Sequence, residues 1–472
     1  MSSAIERSNG FLPLVPLRHA EPTAVGVWDV DAAYAATPPL ELPSQGSRDQ
    51  VVLARLHGQP LAILHLNQPP GATTRAALIV ALWQQASDAI VEHVTACRCL
   101  PAPEDAAELR MMLDADAAGC AGRAPRRPVG KAVVILCTTG AQQETLSRSL
   151  GSLTEMDAEN FEVVVVDNCP SRPETRATVE SFVSPVCVRY VAEPQPGLSV
   201  ARNAGVAAAA DAAFLAFTDD DVVVDRSWLA WLVSPFTEAT VQTVTGLVMP
   251  LSLGSVAEKR FEHYAGFGKG VARATYDLGP HAAGDRFLYP YWGGMFGSGN
   301  SMAFRREALL AVGGFDPALG AGTPTGGGED LAAFTDVILA GGQVVYEPRS
   351  LCWHEHRGDE QALRAQVRNY GIGLTALLCR YLMTDWRFSA TALRSLPAIT
   401  RLAKHRSEDR ELDRLPADLA RLELRGRMLG PWRYVVSRRS ARAAGNDDAA
   451  HQVSGRRRRE QSVDQAGAQT RT

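Results

Sequence analysis

Residues 161–168 read FEVVVVDN, and residues 213–221 read AFLAFTDDD. Each is a short apolar run that ends on an acid. A run that is apolar at every position describes a strand covered on both faces, the usual condition of a parallel sheet. Residues 132–138 (AVVILCT) have the same character, and residues 186–191 supply a further strand. Between them, residues 142–153 and 198–210 read as helices. Strand and helix in alternation predict a doubly wound α/β sheet. Ligands of such sheets sit at the carboxyl ends of the strands. Thr138, Asp167 and the acids Asp219, Asp220 and Asp221 fall there.

Working outward, residues 51–56 and 61–66 flank His57-Gly58-Gln59-Pro60, a hairpin pattern with a four-residue turn. Thr74 then opens a helix with Leu78, Ile79, Leu82, Trp83, Ile90 and Val94 at helical spacing. Residues 1–125 are therefore expected to form a small α+β module. The basic, Pro/Gly-rich stretch 121–131 (AGRAPRRPVGK) links it to the α/β domain, over 126–357. Beyond Arg357, an apolar stripe from Leu363 to Tyr381 predicts a helical region over 358–440. Residues 441–472, with Arg456 to Arg459 and few large apolar side chains, read as a disordered basic tail.

The 472 residues are 46% hydrophobic and 21% charged, enough for two or three domains with cores of their own. A net charge of −4 excludes a uniformly basic nucleic-acid binder. The charge is uneven: residues 401–472 hold 17 Lys/Arg against 10 Asp/Glu, which leaves −11 for the rest. No run of about eighteen apolar residues is present to span a bilayer. Pro13, Pro16 and Arg18 break up the first twenty residues, which argues against a signal peptide. Eight cysteines, several in apolar runs, predict reduced core thiols in a cytoplasmic protein. His93, Cys97, Cys99 and Cys120 are a candidate zinc set, although their spacing fits no standard pattern.

The first strand-to-helix loop, CTTGAQ (137–142), has one glycine and is neither a dinucleotide fingerprint nor a P-loop. Three adjacent carboxylates after a buried strand repel one another, a cost that a hard divalent cation offsets. The same acids also suit the N-terminus of a following helix. Asp167 is a candidate to accept hydrogen bonds from a base or ribose, or equally a turn residue before Pro170. Arg202, one turn into its helix, either faces a phosphate or pairs with Asp219 or Asp221. The glycine-rich stretch 320–330 (GAGTPTGGGED) reads as a flexible loop that delivers Glu329 and Asp330, one of them suited to act as a general base. The alternative is again a helix N-terminus rich in acids. His354 and His356 share one face of an extended chain and are candidate metal ligands or solvated loop residues. Trp292, within YPYWGG (289–294), offers an aromatic face to a sugar ring or packs in a turn.

In order, VVVVDN, PGLSVARNAG (196–205), FTDDD, GSGNSMAFRRE (297–307), GGFDP (313–317), GGGED and WHEHR (353–357) resemble the family 2 glycosyltransferases over about residues 132–357. That resemblance implies the GT-A fold, a nucleotide-sugar-binding doubly wound mixed sheet, and inverting transfer to an acceptor hydroxyl. It implies that Thr138, Asp167, Arg202, Asn203, Asp220 and Asn300 serve the nucleotide sugar, with Trp292 on the substrate side. Asp219 and Asp221 correspond to the outer positions of the family's DXD element and would hold Mn²⁺ or Mg²⁺, with His354 completing the shell. Asp330, or Glu329 beside it, corresponds to the catalytic base. A UDP-sugar is the commonest donor, with a saccharide, a lipid-linked molecule or a small molecule as acceptor. Cell-envelope polysaccharide synthesis follows as a role, in the cytoplasm or at the inner face of the membrane, reached through the basic C-terminal helices. Two rivals are a non-catalytic nucleotide-sugar-binding scaffold and a nucleotidyltransferase. The retained acids weigh against the first, and the lack of a basic glycine-rich loop after the first strand weighs against the second.

Overall fold

A computed structural model describes residues 22–30, 49–67, 74–97, 101–115, 124–283, 288–392 and 416–445. The N-terminal module is a three-stranded sheet of β1 (Thr23–Asp29), β2 (Asp49–Leu56) and β3 (Gln59–Asn67), covered by helices α1 (Arg75–Cys97) and α2 (Ala106–Ala115). β1 lies parallel to β2, and β3 returns antiparallel to it. The hairpin turn is tighter than the expected four residues. His57 and Gly58 alone make it, with φ of 58° and 72°, and Pro60 already pairs with Arg55. Two successive positive φ values match the right-handed twist of the flanking strands.

The second unit runs β4 (Ala132–Thr138), α3 (Gln143–Thr154), β5 (Phe161–Asp167), α4 (Pro173–Ser181), β6 (Val188–Ala192), α5 (Leu198–Ala208) and β7 (Phe214–Asp219). These four strands are parallel, in the order β6-β5-β4-β7. The chain continues through β8 (Val222–Val224), α6 (Trp228–Val233), β9 (Val241–Pro250), α7 (Val256–Ala265), β10 (Ala274–Tyr276), β11 (Met302–Arg305), α8 (Arg306–Ala311), α9 (Glu329–Leu339) and β12 (Gln343–His354). β11 is antiparallel to both β7 and β9, and β9 is parallel to β12, which extends the sheet as a mixed one. Valines of β4 and β5 are fully buried, as continuous apolar runs require. At Gly205 on α5, an added Cβ would come within 2.5 Å of Ile135 Cγ2, so glycine lets this helix lie close on the sheet.

The N-terminal module docks on this sheet. Val25, Val27, Val51 and Leu53 share one apolar core with Val133, Ile135, Phe217 and Leu247. Arg55 fastens the contact: its Nε donates to Asp29 at 2.7 Å and its other side donates to Asp225 at 2.7 Å, all three side chains nearly buried.

C-terminal to β12, helices α10 (Glu360–Thr384) and α11 (Ala417–Ala443) run parallel, with Thr375 donating to the Arg427 carbonyl at 2.8 Å. Glycine makes this approach possible, since a Cβ on Gly426 would strike the Arg368 carbonyl. Arg380 ties α10 to Asp316 and Asp336, at 2.8 and 2.7 Å. α11 continues to Ala443, two residues past the start of the expected tail, and residues 446–472 lie outside the described ones. Five described cysteines are free, but Cys97 is disulfide-bonded, which departs from the expectation of reduced thiols throughout.

Arg55 is a buried cation between the buried Asp225 and the half-buried Asp29, so its removal strips both carboxylates of this counter-charge. Arg55→Met is expected to cost about 3–5 kcal/mol. A thermal melt that matches wild type would contradict this role.

Candidate active site

Strand register gathers the polar residues. Thr138 pairs with Asp167 across β4 and β5, and Cys137 pairs with Asp219 across β4 and β7, so the three carboxyl ends form one rim. Thr138 donates to Asp220 and accepts from Gly140 N–H at 2.8 Å. Asp167 is buried and accepts from Tyr190 Oη at 2.9 Å and from Cys169 N–H at 2.9 Å. Both of its oxygens therefore shape the rim itself. Asn168, which sequence reasoning passed over, holds the approach to α5. Its amide donates to the carbonyls of Glu193 and Gln195, and its oxygen accepts from Gly197 N–H.

Arg202 is buried and spans two elements. One terminal nitrogen donates to Glu329 Oε1 at 2.8 Å, the other to Asp219 Oδ1 at 3.2 Å. Its guanidinium also lies 5.5 Å from the centroid of the Phe315 ring. This resolves the open choice for Arg202 toward pairing with acids. Asn203 turns its amide to the backbone of Phe315, donating at 2.8 Å and accepting at 2.9 Å, and so fixes the GGFDP loop.

A second tie runs in parallel. Asn300 donates to Asp219 Oδ2 at 3.0 Å, and the preceding Gly299 N–H donates to Asp330 Oδ2 at 2.7 Å. Two neighbouring residues of one loop thus hold an acid at the end of β7 and an acid at the start of α9. A Cβ at Gly299 would lie 3.0 Å from the Arg202 guanidinium and 3.1 Å from Asp330 Oδ2, so only glycine fits without displacement. Asp330 is half-buried, with its other oxygen on Leu331 N–H at 2.8 Å. Glu329 is buried, and burial, with Asp330 beside it, pushes its carboxyl up to about 7. The glycine-rich loop before them is tied down: Ser199 donates to the Leu319 carbonyl at 2.7 Å, and Gly328, with φ of 95°, rests against Gly373 of α10. The expectation of a freely flexible loop is corrected by these contacts. Trp292 is partly exposed, and the next residue, Gly293, lies against the Leu331 backbone beside Asp330.

The acids on the β7 side differ in environment. Burial raises Asp219, with Arg202 opposing, and burial raises Asp220 to about 6. Burial would also raise Asp221, but His354 outweighs it and holds that carboxyl below its ordinary value. The pairing of β8 with β12 sets His354 opposite Val222, which brings His354 Nε2 within 3.4 Å of Asp221 Oδ2. Behind it, His354 Nδ1 lies 3.0 Å from His356 Nδ1, and His356 Nε2 lies 2.7 Å from Glu262 on α7. Glu262 cannot donate, so His356 gives it the Nε2 proton. Burial keeps His356 neutral, its Nδ1 then accepts, and His354 Nδ1 must donate to it. Burial works against a charged His354, but Asp221 outweighs it and raises the imidazole, so Nε2 carries a proton toward the carboxylate. Oδ1 of Asp221 is buried with no hydrogen-bond partner among the described residues. An orphaned carboxylate oxygen and an imidazole nitrogen that can give up its proton together fit a divalent cation. Asp219, with both oxygens already engaged, stands behind this pair. Sequence reasoning missed Glu262 and left His356 open, because α7 meets β12 only in the folded chain. It also missed Lys269, whose ammonium burial depresses to about 8, near Glu262 and Asp330.

This is an α/β rim with a cation-ready acid and a separate carboxylate across from it. Residues 133–313, which hold most of this sheet and its rim, match the family described as Glycosyl transferase family 2. It is 29% identical over 281 residues to the pre-mycofactocin glycosyltransferase of Mycobacterium tuberculosis, covering 59% of this chain and 54% of that protein. It is 32% identical over 219 residues to the succinoglycan biosynthesis protein ExoM of Rhizobium meliloti, covering 44% and 60%. The chain thus spans little more than half the length of these curated relatives. A solved mannosyltransferase, PcManGT from Pyrobaculum calidifontis in complex with GDP-Man and Mn²⁺, is similar at 20% identity with a TM-score of 0.43, covering 66% of this chain and 89% of that one.

A buried acid whose carboxyl is raised from 4.5 to about 7 binds its proton more tightly folded than unfolded. Stability is therefore fully present below pH 4.5 from this group and is lost as pH rises toward 7. Glu329→Gln should flatten the fall in melting temperature across that window. A variant with the same pH slope as wild type would show that Glu329 is not the group responsible.

Proposed function

We propose that this chain is an inverting glycosyltransferase that moves a sugar from a nucleoside-diphosphate sugar to an acceptor hydroxyl, with Asp330 as the general base. One observation carries the reading: the loop Gly299-Asn300 holds Asp330 with one residue and Asp219 with the next. A base and the diphosphate end of the rim are thereby set at a fixed separation, as a displacement from the opposite face of a sugar requires.

Thr138, Asp167 and Asp220 form the nucleotide side of the rim. Asp221 and His354 are the residues that would hold a divalent cation, with Asp219 behind them. Such a cation, Mn²⁺ or Mg²⁺, supplies charge neutralisation on the leaving diphosphate, which removes the need for a general acid. Asp330 accepts the acceptor's proton, and the Gly299 and Leu331 N–H groups aim its carboxylate. Glu329 is buried against Arg202, which suits positioning better than proton transfer. Trp292 is partly exposed, next to the Gly293 that meets the Leu331 backbone, and offers a stacking face to the acceptor. A role in polysaccharide biosynthesis follows the name of the succinoglycan biosynthesis relative ExoM.

The C-terminal helices give this reading a location. Leu382, Met383, Trp386, Leu424, Met428 and Trp432 are exposed, the two tryptophans at 80% and 63%, with exposed Arg421, Arg425 and Arg439 nearby on α11. No helix among the described residues is long and apolar enough to cross a membrane. Apolar and aromatic side chains beside arginines suit the interface of an anionic bilayer, at the inner face of the membrane. The other face of the same helices grips the catalytic domain through Arg380 and Tyr434.

Release of nucleoside diphosphate across a panel of UDP- and GDP-sugars with Mn²⁺ tests the activity. Binding without release from any donor favours the scaffold reading. Asp330→Asn should lower kcat by about 10²–10⁴-fold while donor affinity, read by calorimetry, stays near wild type. Wild-type turnover in that variant removes the assignment of the base. Trp386→Ser with Trp432→Ser should weaken binding to anionic liposomes at least about tenfold and leave the melting temperature unchanged. Undiminished binding would exclude this face as the membrane contact.

A further inference from the structure

A cluster in the N-terminal module lies apart from the rim and plays no part in the chemistry above. His57 occupies the first position of the β2–β3 turn and is 3% exposed, although turn residues ordinarily face water. Its φ of 58° lies in the left-handed region, which His adopts more readily than most side chains. A polar imidazole buried at a turn needs a partner for its nitrogens. His57 Nδ1 lies 3.1 Å from His93 Nε2, with the ring centroids 5.2 Å apart and the planes tilted by 47°. Cys97 follows His93 by one turn of α1 and shares its face. One ligand atom from each of His57, His93 and Cys97 lies within 4.8 Å of the other two.

We propose that His57, His93 and Cys97 form a zinc site that is open when the Cys97 disulfide is reduced. Zinc bonds of about 2.0–2.1 Å to nitrogen and about 2.3 Å to sulfur place tetrahedral ligand atoms roughly 3.3–3.6 Å apart. The two imidazole nitrogens are already near that separation. Two imidazoles and a thiolate are a borderline-soft set that favours Zn²⁺ over Mg²⁺ or Ca²⁺, and water completes the tetrahedron. Cys97 is disulfide-bonded in this structure, so the site and the disulfide are alternative states of one sulfur. A dithiol reductant supplies two electrons and two protons. The S–S bond breaks to two thiols as the reductant closes to its own disulfide. Cys97 then loses its thiol proton to solvent as zinc binds, and the proton between His57 and His93 shifts to the far nitrogen of its own ring, so that both imidazoles bind as neutral ligands. Zinc so bound pins the hairpin turn to α1, the two parts of the module that His57 and His93 already bring together.

The test uses the full chain, stripped of metal, with and without a dithiol reductant. Zinc content is read by mass spectrometry and Co²⁺ substitution by absorption. The active-site acids bind cations through oxygen, so a sulfur-to-cobalt charge-transfer band separates the two sites. The reduced protein should bind about one zinc per chain and show that band. His93→Ala, Cys97→Ser and His57→Asn should each weaken zinc binding by more than the roughly 10–100-fold typical of outer partners, and Cys97→Ser should abolish the band. Asparagine tolerates the left-handed turn, so His57→Asn keeps the hairpin while deleting the ligand. The proposal is overturned if the reduced protein shows no such band, if the oxidised protein binds zinc equally, or if these variants retain wild-type affinity.

Discussion

The buried guanidinium of Arg202 is the constraint on which the site rests. A charge removed from water must be paired in place, and Arg202 has two partners on different elements: Asp219 at the end of β7 and Glu329 at the start of α9. Neither acid can relax away without leaving the cation exposed to an apolar core. The rim of the parallel strands and the first turn of a helix more than a hundred residues later are thereby locked together. The loop Gly299-Asn300 repeats the connection one layer outward, through Asp330 and Asp219. α10 then closes the arrangement from behind, where Gly373 meets Gly328.

The opposite wall is organised by a chain of proton donors and acceptors. Glu262 fixes His356, His356 fixes His354, and His354 meets Asp221. Each member orients the next, so the last imidazole nitrogen is held against Asp221 at the rim. α7 is set by a capping box in which Ser255 and Glu258 exchange hydrogen bonds, which places Glu262 one turn later on the same face. A helix cap thus positions an imidazole on a different strand.

Much of the fold was legible because burial on both faces leaves a plain mark: AVVILCT, FEVVVVD and AFLAFTD cannot be half-exposed strands. The acids at their ends were legible for the same reason, since a carboxylate straight after a buried strand needs an explanation. The partnerships were not. Arg202 offered two readings because helical spacing does not say which acid lies above it. Asn203 stood beside Arg202 in the sequence but turned to the Phe315 backbone, a contact set by the GGFDP loop. Asn168, Glu262 and Lys269 carry no local signal, and only the tertiary approach of α5, α7 and β12 gives them roles. The hairpin turn was read two residues too long because Pro60 looked like a turn residue, whereas it pairs at the start of β3.

The N-terminal sheet and the C-terminal helix pair both brace the catalytic unit, one through Arg55 and a shared core, the other through Arg380 and the glycine-rich loop. On the proposed reading, the geometry they preserve sets a single base, Asp330, against a rim that would hold the leaving diphosphate. A single base with a single displacement inverts the sugar. The direct measurement is proton NMR of the anomeric centre in product collected at early conversion from an α-linked donor. A β-linked product is predicted, and an α-linked product would contradict the arrangement of one base against one leaving group.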